Sequence, residues 1–474
     1  MIFSSDGGLL SKAFVDIPSY TPESGWLQVE AEELWKASMQ ACHDAVGKAG
    51  IYDEQIAALS IASERGTALL WDRISKEALT PVIASQCHRT QAITDGWKRK
   101  KLDKLVLKRT GLPVANVLSA PKLVWLLESY PELARRARKR EVLFGGIESW
   151  LLWKWTLGKI HATDYTNAAA TMLFDLRSFR WDKQLLAKFK IPPVMLPEAR
   201  PSSGIFGKTE QQGSLPEGIV IGAIAADQPA ALFALTGLER GLAKASYDLH
   251  CHVMVNIGNK PKFSRIGLAT TVACSAAKRA SYILEGMVPN GGWPVHWLRD
   301  SLHLIDSIQE TSDIALSASG PRGLYLVAQN KNGKTGSSPG GLVGLSPDIK
   351  KEHLVRAALE SVAFETRNMM NTLSKDARMG IRSVFVDGPM SQNDFLLQFQ
   401  ANLSNVDIAR TKLGETACLG VSYLAGLAIK QFKSPASILR LRPIDQHFRP
   451  RLSSPERKKL LAGWDDAVGK IRKP

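Results

Sequence analysis

The chain has 474 residues, 45% of them hydrophobic and 22% charged, with a formal net charge of +16. This is ordinary globular composition over more length than one core spans, so it excludes a disordered or fibrous chain and predicts two domains. No window reaches the roughly 18 uninterrupted apolar residues of a transmembrane helix.

In chain order, "SKAFVDI" reads as a strand and "AEELWKASMQACHDAVGKAG" as an amphipathic helix ending at Gly50. "IAALSIAS" follows as a short apolar strand. Strands alternating with helices predict parallel or mixed sheets covered by helices. "PKLVWLLES", "EVLFGGIESWLLWKWTLG" and the Ala/Thr-rich "HATDYTNAAATMLFD" come next. Near residue 200, "PEARPSSGIFGK" is rich in Pro, Ser and Gly and reads as a connection. The second half restarts with "GIVIGAIAADQPAALFAL", a strand running into a helix. A second such junction, "SVFVDGPMSQNDFLLQFQANLSNV", comes late. Two α/β units flanking a cleft are expected.

The opening "MIFSSDGGLLSKAF" has neither a basic leader nor a sustained apolar core, so no secretory signal is expected. Five cysteines without paired spacing suit a reducing compartment, and the cytoplasm is expected. Much of the positive charge lies in "KRKKLDK" (98–104) and "RRARKR" (135–140). These runs are either solvated helix faces or contacts for acidic lipid or protein. No aromatic residues interleave with them, so no nucleic-acid partner is expected.

Asp227 stands alone inside the long apolar run. It is either a helix N-cap, with Pro229 just beyond it, or a general base held at the mouth of the cleft. "HCH" (His250, Cys251, His252) together with Cys274 contains metal-ligand residue types. On a strand, however, His250 and His252 share one face and Cys251 points away. No second ligand pair follows at metal spacing, so no metal ligands are assigned. "NKNGKTGSS" does not meet the G-x-x-x-x-G-K-[ST] spacing and reads as a flexible surface loop.

Several of these segments carry a specific likeness. "FGGIESWLLWKWTLGKIHATDYTNAAATMLFD", "LSAPKLVWLLES", "GGLVGLSPDIKKEHLVRAALE" (340–360) and "ADQPAALF" resemble the FGGY carbohydrate kinases, the glycerol-kinase-like members most closely. The likeness runs from "ESGWLQVEAEELW" to "ETACLGVSYLAGLA". It implies an α/β fold of two actin-like (ribonuclease H-like) ATPase domains flanking a cleft. The N-terminal domain, 1–220, would carry the polyol side and the C-terminal domain, 221–474, the nucleotide side. The implied cofactors are ATP and Mg2+, and the implied small-molecule partner is glycerol or a related polyol. The family often forms homo-oligomers.

Carried over by motif, Asp227 matches the catalytic aspartate and Gln228 the glutamine after it. Arg65, in "SERGTALLWD", matches the arginine that hydrogen-bonds the polyol hydroxyls. Gly388 would border the nucleotide. Other positions depart from the family. Gly66 stands where the family has glutamate, Ser85 where it has tryptophan and Val117 where it has tyrosine. Asp248, Leu249 and His250 replace the glycine-bearing second phosphate turn, and Pro389 replaces the second glycine of D-G-G. The chain opens after the point where the D-x-G-T-T-S turn would have passed, and no such motif occurs in it. Loss of glycines that let backbone N–H groups approach a phosphate, and of the N–H at Pro389, weakens a phosphate cradle. Two readings therefore stand. One is an ATP-dependent phosphotransferase of glycerol-kinase type with a degenerate active site. The other is a catalytically inactive pseudokinase acting as a binding or scaffold protein.

Overall fold

The computed structural model describes residues 1–211, 215–276, 280–320, 322–333 and 336–472. The chain forms two compact units, each drawn from separate stretches. Unit one comprises Met1–Leu238, Gly258–Ile283 and Thr416–Leu441. Unit two comprises Glu239–Ile257, Leu284–Glu415 and Arg442–Pro474. Both are α/β, as expected.

In unit one the helix Ala31–Ala49 buries Ala31, Leu34, Ala37 and Ala45 on one face. It stops at Gly50, whose φ of 63° supplies the left-handed terminus. The strand Leu59–Ser63 pairs in parallel with Val220–Ala226, which pairs on its other side, antiparallel, with Ser203–Lys208. The 220/221 division expected from the sequence falls inside the strand Val220–Ala226, whose pairing partners lie in unit one. That strand is buried at every position after its first residue, the pattern of a strand covered on both faces. One covering element is the helix Asp227–Thr236, which packs against the helix Thr416–Ala428. The two helices approach so closely that a Cβ at Gly420 would collide with the Ala230 carbonyl oxygen.

Unit two contains a sheet in which Cys251–Gly258, Leu242–Tyr247, Ser383–Asp387, Asp407–Thr411 and Ile444–Phe448 are neighbours in that order. The central pairs, Leu242–Tyr247 with Ser383–Asp387 and Ser383–Asp387 with Asp407–Thr411, are parallel. The long helix Lys351–Ala377 and the helix Asp394–Ser404 pack on each other and bury Phe364, Leu373, Leu396 and Leu397.

Three local expectations are corrected. In "SKAFVDI" only Ser11 belongs to a strand, Leu9–Ser11, because the exposed or half-exposed residues after it find no ladder partner among the described residues. "PEARPSSGIFGK" is not a plain connection. Glu198–Arg200 pairs with Ala162–Asp164, and Ser203–Lys208 joins the unit-one sheet; its Gly and Ser residues accommodate pairing beside a bulge. In "NKNGKTGSS" the backbone of Asn330–Gly333 and Gly336–Ser338 forms a two-stranded ladder, while Lys334 and Thr335 lie outside the described residues.

Candidate active site

The parallel pair in unit one places Ser63 opposite Ala226. Arg65 lies two residues past the end of its strand, in a turn, and Asp227 one residue past the end of its own, opening a helix. The fold thus brings Arg65, Asp227 and Gln228 to the carboxyl edge of adjacent parallel strands, the edge at which α/β sheets present ligand-binding groups. All three side chains are half-buried.

Asp227 is not an N-cap. That position belongs to Ala226, and the Asp227 carboxylate accepts the adjoining Gln228 N–H at 2.7 Å. As the first helical residue it sits at the positive end of the helix dipole.

A buried polar network lies beneath these turns. Asp164 caps the short helix Tyr165–Ala169, accepting from the Thr166 and Asn167 N–H groups. It also accepts from the Thr166 hydroxyl at 2.8 Å, the Asn167 amide at 2.9 Å and the Ser202 hydroxyl at 2.7 Å. Burial pushes its carboxyl up, and these donors, the Ser202 hydroxyl first, oppose that rise. Thr166 Oγ1 accepts the Ala226 N–H at 2.8 Å, and Asn167 Oδ1 accepts the Ser63 hydroxyl at 3.2 Å. One carboxylate therefore fixes the last residues of both strands from which the candidate turns spring.

The turn at Arg65 has its own clamp. Lys122, on the helix Ser119–Ser129, is fully buried. Its ammonium donates to the carbonyls of Gly66 and Asn116, each at 2.9 Å, and of Leu118 at 3.3 Å. Burial pushes its pKa down to about 7, opposed by nearby Cys87 and Glu64. Gly66 has φ +79°, and a Cβ there would collide with the Val117 carbonyl oxygen. Gly66 is thus a conformational requirement of this turn as well as a lost carboxylate. The carboxylate of the turn is instead on Glu64, which accepts from the Ser85 hydroxyl and, at 3.2 Å, from the Ser85 N–H. Val117 is exposed at 43%.

The sequence reading missed Asp164, Lys122 and the Glu64–Ser85 pair. A signal existed for two of them: a lone lysine in the apolar run "APKLVWLL", and Asp followed three residues later by Asn before an Ala-rich turn.

In unit two, Gly388 follows the strand Ser383–Asp387 with φ 91°. A side chain there would meet the Tyr247 carbonyl oxygen at 2.5 Å. Asp387, just before it, pairs with buried Lys244 at 3.3 Å and accepts from the Ser246 hydroxyl at 2.6 Å. Pro389 contributes no N–H.

Residues 248–250 form the exposed turn between the strands Leu242–Tyr247 and Cys251–Gly258. Two of its N–H groups are engaged internally: Asp248 N–H reaches His250 O at 3.2 Å, and Leu249 N–H reaches the Asp248 carboxylate at 2.8 Å. A phosphate needs free N–H groups and no adjacent anion, so this turn, as folded, does not fit one. His250 lies in the turn rather than on the strand, and its ring nitrogen contacts the Pro289 carbonyl. The strand-face relationship expected between His250 and His252 therefore does not exist. Cys251 is fully buried, and its thiol is pushed up to about 12 by that burial.

The sequence model for the FGGY family of carbohydrate kinases, N-terminal domain, matches residues 1–234, and the model for its C-terminal domain matches residues 244–429. A glycerol kinase of Shewanella piezotolerans is 37% identical over 476 residues, covering 100% of this chain and 96% of that protein. A glycerol kinase of Treponema denticola is likewise 37% identical, over 479 residues, with the same coverage. Among solved structures, Plasmodium falciparum glycerol kinase with ADP superposes with a TM-score of 0.91 at 26% identity, over 97% of this chain and 93% of that one. The xylulose kinase of Lactobacillus acidophilus, at 20% identity and a TM-score of 0.85, over 99% of this chain and 95% of that one, shares the fold. No helix among the described residues is long and apolar enough to cross a membrane. The chain belongs to the FGGY family of carbohydrate kinases.

Proposed function

We propose that this protein is an ATP-dependent phosphotransferase of glycerol-kinase type, acting in the cytoplasm on glycerol or a related polyol. The observation that supports this reading is the pairing of Ser63 with Ala226, which sets Arg65 and Asp227 on one sheet edge above a buried polar support. In this reading Asp227 takes the proton of the attacking hydroxyl, and Arg65 and Gln228 hold neighbouring hydroxyls. The N-terminal domain carries the polyol side and the C-terminal domain the nucleotide side, bordered by Gly388. Mg-ATP, the family's cofactor, would supply the phosphoryl group. No step is assigned to the turn 248–250, where the Asp248 and Leu249 N–H groups are already engaged. Self-association, common in the family, is carried as part of the proposal.

One observation favours a second reading, a pseudokinase that binds without turnover: the Asp248 carboxylate occupies a donor of a phosphate turn. Phosphoryl transfer rests on positioning and electrostatic stabilisation, so loss of that cradle costs orders of magnitude in rate. Calorimetry with Mg-ATP and an ADP-release assay over glycerol and longer polyols separate the two. Turnover that vanishes in Asp227→Ala supports the enzyme. Nucleotide or polyol binding without turnover above that control supports the second reading.

A further inference from the structure

Three basic segments far apart in sequence meet on unit one. The helices Gln91–Arg99, Pro131–Arg138 and Lys183–Lys188 end close together. Trp97 at the end of the first stacks on Phe189 just past the third, with ring centroids 3.9 Å apart. Arg138, at the end of the second, lines a recess of about 420 Å³ together with Lys190. The floor of that recess is apolar, from Leu186, Ile191 and Val194, and beside it Pro193 is exposed.

Around this point lie nine exposed cations: residues 98–101, residues 138–140, Lys188 and Lys190. The acidic side chains of the same helices do not neutralise them. Glu141 is bound to Arg136, which also holds Asp72, and Asp182 is bound to Arg109; that leaves Asp95, Glu132 and, at the next helix, Asp103 against nine cations. Three helix C-termini contribute only about half a negative charge each. The face keeps a large positive excess around an apolar tip.

From this placement we infer that the face docks on an anionic membrane surface. Clustered lysine and arginine supply attraction to acidic headgroups, and the Pro192–Pro193–Val194 tip supplies apolar contact at the interface. Arg138 and Lys190, on the rim of the shallow recess, offer two cations to headgroup phosphates. Single-stranded nucleic acid is disfavoured because Trp97 and Phe189 are buried on each other and offer no face to a base. The inference uses no residue of the candidate active site and stands whether or not the chain turns over a polyol.

The test is co-sedimentation of the full chain with vesicles of phosphatidylcholine alone or mixed with phosphatidylserine. Binding is expected only with phosphatidylserine and is expected to fall steeply between about 0.1 and 0.5 M salt. Each removed cation should weaken binding about five-fold, so Arg138→Glu with Lys190→Glu should weaken it by more than about 25-fold, with an unchanged melting temperature. Pro193→Ser should weaken it without altering the salt dependence. Equal binding to neutral vesicles, undiminished binding by the folded double variant, no vesicle binding, or a preference for single-stranded DNA over vesicles would each overturn the inference.

Discussion

Ser63 and Ala226 face each other as the last paired residues of two parallel strands, although 162 positions separate Arg65 from Asp227 in the chain. Both strand ends are held through Asp164: Thr166 binds the Ala226 N–H, and Asn167 binds the Ser63 hydroxyl. With this support intact, Asp227→Asn should leave melting temperature and polyol affinity near wild type. It should lower kcat by about 10²–10⁴, the usual contribution of a positioned general base. A steady-state assay beside a thermal melt checks the split. Unchanged kcat in a variant with measurable turnover would remove Asp227 from the base role.

Reinstating the family's glutamate at position 66 should not rebuild a polyol acceptor. The backbone there is left-handed and the Val117 carbonyl fills the space a Cβ needs. Gly66→Glu is therefore expected to cost about 2 kcal/mol or more of stability, with no gain in polyol affinity. Urea unfolding and polyol titration test both halves.

Lys122 binds that turn from below. Lys122→Met should cost about 2–4 kcal/mol near pH 6, because the carbonyls of Gly66, Asn116 and Leu118 lose their donor. The pH dependence has a definite sign. Below pH 7 the amine is protonated in both folded and unfolded chains. Between about 7 and 10.5 the unfolded chain holds more protons, so wild-type stability rises with pH relative to the variant across that window. Urea unfolding of both proteins at pH 6, 8 and 10 gives the slope. If the Arg65 turn is a polyol contact, the variant should also raise KM more than it lowers kcat.

The sequence made the strand-to-helix junctions legible because each combined a buried apolar strand with a polar break before an apolar helix. "GAIAADQPAALF" became a strand to Ala226 and a helix from Asp227. "SVFVDGPMSQND" became a strand to Asp387, a short 3-10 turn and a helix from Asp394. "PEARPSSGIFGK" failed because local composition carries no information about its pairing partners, Ala162–Asp164 about 36 positions back and Val220–Ala226 across the loop that follows it. Motif position singled out Arg65, Gln228 and Asp227, which the fold brings to one sheet edge. It could not disclose that the Gly66 turn is closed by a backbone carbonyl, or that a buried lysine and a buried aspartate carry the scaffold. Those are facts of tertiary packing, and the single-residue signals, Lys122 in an apolar helix and Asp164 before Asn167, looked like ordinary surface and capping residues.

Glu148 gives a prediction about stability alone. It is buried at the start of the helix Ile147–Trp155, accepting from Thr163 at 2.7 Å and Ser149 at 3.1 Å. Burial, aided by the nearby Asp164 charge, pushes its pKa from 4.5 up to about 6. A raised carboxyl pKa stabilises the fold below about pH 4.5, and this contribution is lost as pH rises through 6. The loss is about 2 kcal/mol. Glu148→Gln removes it, so the stability of the variant relative to wild type should improve by about that amount between pH 4 and pH 7. Comparing the two proteins by urea unfolding at both pH values cancels the opposite slopes of other carboxylates. Parallel pH curves would show that Glu148 does not titrate in this range.

The turn at residues 248–250 decides which functional reading survives. Asp248 places a carboxylate on the N–H of Leu249, and the Asp248 N–H itself is spent on His250 O. Asp248→Gly frees the first donor, removes a negative charge and restores a backbone able to take left-handed angles. Removal of one like-charge contact and return of one N–H to an anion should tighten Mg-ATP binding by about ten-fold or more. The double variant Asp248→Gly with Leu249→Gly should tighten it further. Calorimetry reads the affinity, and the ADP-release assay reads whether turnover rises with it. A rise in affinity and rate together would identify the aspartate as a brake on an otherwise assembled kinase. A rise in affinity alone would place the defect elsewhere and favour the non-catalytic reading. No change in affinity would show that the turn does not contact the nucleotide at all.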